Sequence, residues 1–255
     1  MIGSVLVFIG ILVVALSVSA GWLAQFVPFK YETQVAERFI KDQTESDDIQ
    51  TYLQEMADRL AAQQELPEEM TITVRYSDSD TVNAFATLGG NLFFFRGLIE
   101  ALPNEDALAM VMAHEIAHVK HRHPIRALGR GVTIGIALSA LAGVSGSSAG
   151  ERLIGDVGLL TSLSFSRSQE TEADITALDA LVKTYGHAAG AISLFDVFTE
   201  LEAEHSSVPT MLRTHPLSDD RRQKLQDHAI ENNWPLVDDS KPYPRWLIEQ
   251  FELPE

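Results

Sequence analysis

The stretch that decides the fold is residues 104–124, NEDALAMVMAHEIAHVKHRHP. Asn104 is a residue type that favours the N-cap position, and the two acidic residues after it suit the positive end of a helix dipole. Apolar residues then recur with a helical rather than a strand period, and Pro124 ends the pattern. The stretch therefore predicts a capped helix with one apolar stripe.

This helix carries His114 and His118, four residues apart, with Glu115 directly after the first. A spacing of four places both imidazoles on one helical face, about one turn apart, where they can hold the same metal ion. Glu115 can lean toward a metal-activated water, which is the arrangement that a zinc hydrolase needs. A surface helix with scattered histidines is the simpler alternative, since His121 and His123 follow closely.

Two histidines leave the metal without a third protein ligand. The metzincin pattern is excluded because His121 and Pro124 stand where it requires Gly and His. The chain has no cysteine, so disulfides and thiolate ligands are excluded as well. Histidine or carboxylate must complete the site.

A second pair of polar residues fits this requirement. Glu170 and Asp174 lie four apart at the start of another apolar-periodic segment. One carboxylate can bind the metal while the other accepts a hydrogen bond from the free ring nitrogen of a metal-binding histidine. A solvated acidic helix start is the alternative.

The composition and the N-terminal segment bear on the partners of the protein and on its relation to a membrane. A net charge of −17 over 255 residues argues against a nucleic-acid partner, which needs a basic surface. Residues 1–29 contain no charged side chain and are long enough to span a bilayer. A cleaved signal peptide is the alternative, but no Lys or Arg precedes the apolar run, which favours an uncleaved anchor.

Two further segments bear on the site. Residues 71–76 and 92–95 are predicted to be strands, with a glycine turn before the second. The second strand, which is rich in aromatic residues, is either part of the core or an edge strand that pairs with an extended peptide. Residues 131–165 are predicted to form a buried helical hairpin over the active site, with a membrane-dipping hairpin as the alternative.

The chain resembles the HtpX and type I CAAX prenyl protease family of zinc metallopeptidases, which are gluzincins. Four motifs carry the resemblance, which covers about residues 34–230: Asn83-Ala-Phe-Ala with Gly89-Gly90, His114-Glu-Ile-Ala-His118, Ser166-Arg with Glu170-x-x-Ala-Asp174, and His215-Pro216 with Arg221. Thr87-Leu88 departs from the family, where many relatives have a proline before the glycines. Unlike HtpX, the chain shows no four clear spanning segments.

The resemblance implies roles for these residues. His114, His118 and Glu170 would bind one Zn²⁺ per chain, Glu115 would be the general base, and Asp174 would support a ligand. Glu172 is the rival to Glu170, but its spacing to Asp174 is wrong for a shared helical face. His121 and His123 are interpreted as flanking residues of the helix end.

His215 and Arg221 would line the active site and stabilise the negative oxygen of the tetrahedral intermediate, also by resemblance. His215 has a second interpretation. It would occupy the open zinc position and hold the enzyme inactive until substrate arrives.

We therefore expect a mostly α-helical α+β fold: a gluzincin-type metallopeptidase domain with a small β-sheet beside the catalytic helix, preceded by an N-terminal transmembrane helix. The expected divisions are a membrane anchor (or signal peptide) at 1–29, the peptidase domain at 30–233 and a C-terminal strap at 234–255. The expected function is a single-pass, membrane-anchored zinc endopeptidase of the bacterial inner membrane, cleaving misfolded or membrane-associated polypeptides. A zinc-stabilised, chaperone-like binding protein is the alternative.

Overall fold

The computed structural model of the chain describes residues 2–40, 48–141, 164–204, 209–237, 240–251 and 253. Within these residues the helices are α1 (Ile2–Ala24), α2 (Phe29–Phe39), α3 (Asp48–Gln63), α4 (Arg96–Ala101), α5 (Glu105–Lys120), α6 (His123–Leu141), α7 (Arg167–Tyr185), α8 (Ala189–Glu204), α9 (Thr210–Thr214), α10 (Asp219–Glu231) and α11 (Arg245–Phe251). The strands are β1 (Thr73–Ser77), β2 (Ala84–Ala86) and β3 (Asn91–Phe95). The predicted mostly helical α+β class is confirmed.

Helix α5, which carries the two motif histidines, is buried on every side. Each residue from Glu105 to Val119 is buried, and α3, α7, α8 and β2 surround the helix. Helix α7 packs against it through three buried alanines, Ala173, Ala177 and Ala180, whose small side chains let two helices approach closely. The apolar stripe seen in the sequence therefore belongs to a central core helix rather than to a surface helix.

The N-terminal end of α5 buries charge, and each charge has a partner. Asn104 caps the helix, its Oδ1 accepting the Ala107 N–H at 2.9 Å. The Glu105 carboxylate accepts hydrogen bonds from the hydroxyls of Tyr52 and Tyr185, both at 2.9 Å. Lys241, from the C-terminal segment, donates to the same carboxylate at 2.6 Å, so residues near the end of the chain are tied to the start of the central helix.

The sheet lies beside α5 in the order β1-β3-β2, with β3 parallel to β1 and antiparallel to β2. The predicted strands and glycine turn are confirmed, and β2 is a strand that the sequence pattern did not reveal. The turn between β2 and β3 is tight: Gly90 has φ of 73°, and a Cβ there would lie 1.9 Å from the Thr71 carbonyl oxygen. Only glycine fits this position, which fixes where β2 runs along α5.

Helix α1 contains one apolar segment, Val7–Ala24, with a mean hydropathy of 2.3, and most of it is exposed. Among the described helices it alone is long and apolar enough to cross a membrane. Helix α6 packs along α1: Arg122, just before α6, donates to the Val27 carbonyl at 2.6 Å. Further along, a Cβ at Gly129 would lie 3.0 Å from the Ala20 carbonyl oxygen, so the two helices run antiparallel with their backbones in close contact.

The expectation of a buried hairpin at residues 131–165 is wrong for the part that the structure describes in full. Residues 131–137 are half-buried or exposed, and Ile134 and Ile136 have 43% and 52% of their surface exposed. The physical reason is that α6 begins beside the end of α5 but then runs along α1. Residues 142–163 lie outside the described residues.

Candidate metal centre

Four buried side chains bring their donor atoms together at the middle of the fold. The donor atoms of His114, His118, Glu170 and His215 all lie within 4.8 Å of one another. Helix α5 supplies the two motif histidines, α7 supplies Glu170 from its first turn, and His215 follows directly after α9. Residues that are up to about a hundred positions apart in the chain thus form one cluster.

The separations within the cluster suit a small metal ion. The Nε2 atoms of His114 and His118 are 2.9 Å apart, and the Glu170 oxygens lie 3.5 Å and 3.6 Å from these two nitrogens. Donors that each lie about 2.0–2.2 Å from one metal ion are separated by distances of this order. Imidazole nitrogens with a carboxylate are also the donor chemistry that a cysteine-free zinc site requires. The three predicted ligands are therefore together, and the donor set fits a metal.

Burial and neighbouring charges shift the pKa values of the ionisable groups in the cluster. Burial opposes a charge on His114, but the hydrogen bonds and charges of Asp174 and Glu170 raise its pKa to about 10. Burial, together with the neighbouring His114, lowers the pKa of His118. Burial also opposes the Glu170 carboxylate, yet His215 and His114 hold the pKa of that carboxyl well below its usual range. The carboxylates of Asp174 and Glu170 thus favour positive charge on His114, whereas burial disfavours it on His118.

Asp174 orients His114. Its Oδ1 lies 3.0 Å from His114 Nδ1, which leaves His114 Nε2 facing the cluster. Arg221, at the start of α10, fixes Asp174 in turn by donating from Nε and Nη2 at 2.7 Å and 2.8 Å. A carboxylate behind a metal-binding histidine sets the ring tautomer and orientation, which is the supporting role predicted for Asp174.

Arg221 is buried against carboxylates. Beyond its two bonds to Asp174, its Nη1 donates to the Pro216 carbonyl at 2.9 Å and lies 3.0 Å from a Glu170 oxygen. Through these contacts Arg221 holds the carboxylates of Asp174 and Glu170 in place. Its predicted contact with a tetrahedral intermediate stays a prediction.

Glu115 faces the cluster from the β2 side. Its Oε2 accepts the Ala86 backbone N–H of β2 at 2.7 Å, which holds the carboxylate in one orientation. Its Oε1 finds no hydrogen-bond partner in the described part of the chain and lies 3.5 Å from His215 Nε2. A buried carboxylate oxygen without a partner is poised to meet a group that enters the site.

His215 lies between Glu115 and the other donors. Its Nδ1 is 3.3 Å from His114 Nε2 and 3.2 Å from both Glu170 oxygens, while its Nε2 faces Glu115. On another side, the Phe165 ring stacks on the His118 ring with centroids 4.0 Å apart. The donor atoms are consequently closed off from solvent in this structure.

His123 flanks the end of α5 and lies outside the donor cluster, as the sequence indicated, but it also contacts a member of that cluster. His123 is fully buried, its Nδ1 lies 2.8 Å from His118 Nδ1, and its Nε2 lies 3.2 Å from a Glu172 oxygen. Burial, with the nearby His121 and Arg126 charges, lowers the pKa of His123 to about 3. The sequence pattern missed this contact because Arg122 adopts a φ of 60°, which breaks the helical period and turns His123 back toward the site.

We predict that Arg221→Ala lowers the free energy of unfolding by about 3–5 kcal/mol, because it leaves two buried carboxylates without their cation. The adjacent Arg222→Ala removes an ion pair with Asp196 at the surface and should cost less than about 1 kcal/mol. Urea unfolding of both variants measures the difference. Equal effects of the two changes would contradict the role assigned to Arg221.

Comparison with known proteins agrees with this geometry. The sequence profile described as Peptidase family M48 matches residues 47–229, which is well over half of the chain. The beta-barrel assembly-enhancing protease of Yersinia pestis is 31% identical over 183 residues, covering 66% of this chain and 35% of that protein. The mitochondrial metalloendopeptidase OMA1 of Schizosaccharomyces pombe is 34% identical over 153 residues, covering 59% of this chain and 44% of that protein.

The metalloprotease YcaL of Escherichia coli (strain K12) is 29% identical over 156 residues, covering 60% of this chain and 59% of that protein. The chain thus spans between about a third and three fifths of the length of these relatives. The matched region contains the whole donor cluster, its supporting carboxylate and Arg221. The chain belongs to peptidase family M48.

Proposed function

We propose that the chain is a membrane-anchored zinc endopeptidase that cleaves misfolded or membrane-associated polypeptides. In this proposal His114, His118 and Glu170 hold zinc, and Glu115 is the general base. The observation that carries the proposal is the convergence of His114, His118 and Glu170 in one buried donor cluster. Glu115, buried on the same helix as the two histidines, lies 3.5 Å from His215, the fourth member of that cluster.

The choice of zinc follows from the donor set. Imidazole nitrogens and one carboxylate, without cysteine or a cage of oxygens, suit zinc better than calcium or magnesium. When bound, zinc supplies Lewis-acid polarisation of the scissile carbonyl and lowers the pKa of water. Asp174 and Arg221 keep His114 and Glu170 oriented toward that ion.

Glu115 performs the proton transfers. The Ala86 N–H holds its Oε2, so Oε1 remains to take a proton from the attacking water and pass it to the leaving amine. Burial of Glu115 between β2 and the donor cluster keeps bulk water away from this exchange.

His215 controls access in this proposal. The geometry favours the second of the two roles considered for it, because its ring fills the space between the base and the three ligands. Substrate would displace His215, which then becomes available to the reacting carbonyl. The closed arrangement described here corresponds to a resting state.

The edge strand β2 suits an extended peptide. Residues 83 and 87 pair with β3, so the intervening Ala84 and Ala86 direct their backbone groups toward the side of α5. An unfolded polypeptide added alongside β2 would pass directly over Glu115. Such a substrate matches the proposed role in quality control. The name of the Yersinia pestis relative likewise links that relative to β-barrel assembly.

The membrane anchor in this proposal is α1, with α6 beside it. Helix α1 exposes large apolar side chains along its length, among them Phe8, Ile11 and Trp22. Helix α6, which packs along α1, also exposes Ile134 and Ile136. A bilayer around α1 would therefore hold the metal centre close to the membrane, where membrane-associated substrates are found.

We predict that Glu115→Gln lowers cleavage of casein by about 10²–10⁴-fold, the usual contribution of a general base, while bound zinc is retained. Glu200→Gln, an exposed change on α8, is the matched control and should cleave like the wild type. Undiminished cleavage by the Glu115 variant would refute the assignment. Casein binding without chelator-sensitive cleavage in the wild type would instead favour the chaperone-like alternative.

We predict that His215→Ala raises basal cleavage of an unfolded substrate several-fold, because it removes the side chain that fills the site. Initial rates at low substrate concentration measure this effect. A fall in turnover would favour the role of His215 in stabilising the intermediate, and unchanged kinetics would rule out both roles.

We predict that Ile11→Lys combined with Val14→Lys releases the protein from membranes, since each charge near the bilayer centre costs about 2.5–3.5 kcal/mol of insertion free energy. Both side chains are exposed on α1. Val237→Lys, an exposed apolar residue far along the chain, is the control. Alkaline extraction of membranes separates the outcomes, and retention of the double variant in the pellet would refute the anchor.

A further inference from the structure

We propose that His123 is a positioning residue for the metal site, orienting His118 from behind as Asp174 orients His114. The proposal rests on the proposed zinc site and adds to it a second supporting arm that runs from Glu172 through His123 to His118. Each link in this arm is a contact between described side chains.

The direction of the first hydrogen bond follows from the geometry of His118. Its Nε2 faces the cluster, 2.9 Å from His114 Nε2, and must be unprotonated to bind a metal. The ring proton of His118 therefore resides on Nδ1, which lies 2.8 Å from His123 Nδ1. Two ring nitrogens at this distance share one proton, so His118 donates and His123 accepts.

The same hydrogen bond determines which ring nitrogen of His123 carries the proton. With Nδ1 accepting, the ring proton of His123 is on Nε2, which donates to Glu172 Oε2 at 3.2 Å. Glu172 was the rival candidate for the third ligand. Its position two residues after Glu170 turns it to a different side of α7, where it meets His123 instead of the cluster.

The fold holds His123 rigidly in this place. Arg122, with its φ of 60°, makes the turn between α5 and α6, and its guanidinium is tied to the Val27 carbonyl and to Glu32. His123 itself is fully buried, with the Phe165 ring 5.8 Å from its own. A buried imidazole without partners would destabilise the fold, whereas here both ring nitrogens have one.

The two supporting arms differ in a way that an experiment can use. Asp174 is buried and paired with Arg221, so changes there disturb folding as well as metal binding. The His123 arm is neutral at its inner end and has half-exposed Glu172 at its outer end. Substitutions of His123 can therefore separate hydrogen bonding from packing.

The test is the affinity of the full-length protein for zinc, measured by competition with a chromophoric chelator in three His123 variants. His123→Asn keeps an acceptor where Nδ1 stood, so its affinity should stay within a few-fold of the wild type. His123→Gln keeps the contact with Glu172 but offers nothing to His118, and His123→Phe offers neither contact. Both of these should bind zinc about 10–100-fold more weakly, the usual cost of losing the partner of a ligand.

A role for His123 in filling space alone predicts the reverse order, because Asn leaves a cavity while Phe and Gln fill it. That order, or equal affinity in all variants, would overturn the proposal. His187→Gln is the control for loss of a buried histidine away from the cluster and should match the wild type. The visible spectrum of the cobalt-substituted protein gives a second readout, in which Gln and Phe shift the bands and Asn does not.

The same series separates this proposal from the one on which it rests. A wild-type protein that binds no zinc would overturn the zinc site and the supporting arm together. A wild-type protein that binds zinc tightly, with no loss in the Gln and Phe variants, would overturn the role of His123 alone.

Discussion

The burial of ionisable side chains on α5 is the constraint on which the other contacts of this fold depend. His114, Glu115 and His118 lie on a helix that is surrounded on all sides. Ionisable groups taken out of water without partners cost several kcal/mol each, so each of these needs a compensating group. Their partners come from α7, α10, β2 and the segment at His123, and this requirement explains why those elements converge on α5.

Much of the site was predictable because its elements follow local rules. The spacing of His114 and His118, and of Glu170 and Asp174, is set by the helical period, so sequence alone indicates which side chains share a face. The cap at Asn104 likewise follows from a short-range hydrogen bond, which the structure contains. The same local reasoning predicted the fold class.

The parts that were missed depend on contacts between distant segments. His123 could not be assigned because one residue with positive φ, Arg122, changes the direction of the chain before it. The strand β2 is only three residues long, and its place is set by the Gly90 turn and by Glu115 rather than by its own composition. Helix α6 was expected over the active site, but it packs on α1, a partner that its own apolar pattern does not identify.

The fold combines a closed candidate metal centre with an exposed apolar helix, α1. The ligand atoms and His215 contact one another in this closed arrangement, whereas Glu115 Oε1 and His215 Nε2 have no hydrogen-bond partner among the described residues. An entering peptide would therefore have to displace His215 from the other donors. In the proposed function, this arrangement would limit cleavage to substrates that can add along β2 and displace His215. Unfolded segments would meet both conditions, whereas compact proteins would not.

The assignment of the metal ligands is tested most simply by the zinc content of the purified full-length protein. Elemental mass spectrometry compares it with that of Glu170→Gln. If His114, His118 and Glu170 form the metal site, the wild type holds one zinc per chain and the variant loses most of it on dialysis. An equal zinc content in the two proteins, or none in the wild type, would contradict the assignment of these three residues as zinc ligands.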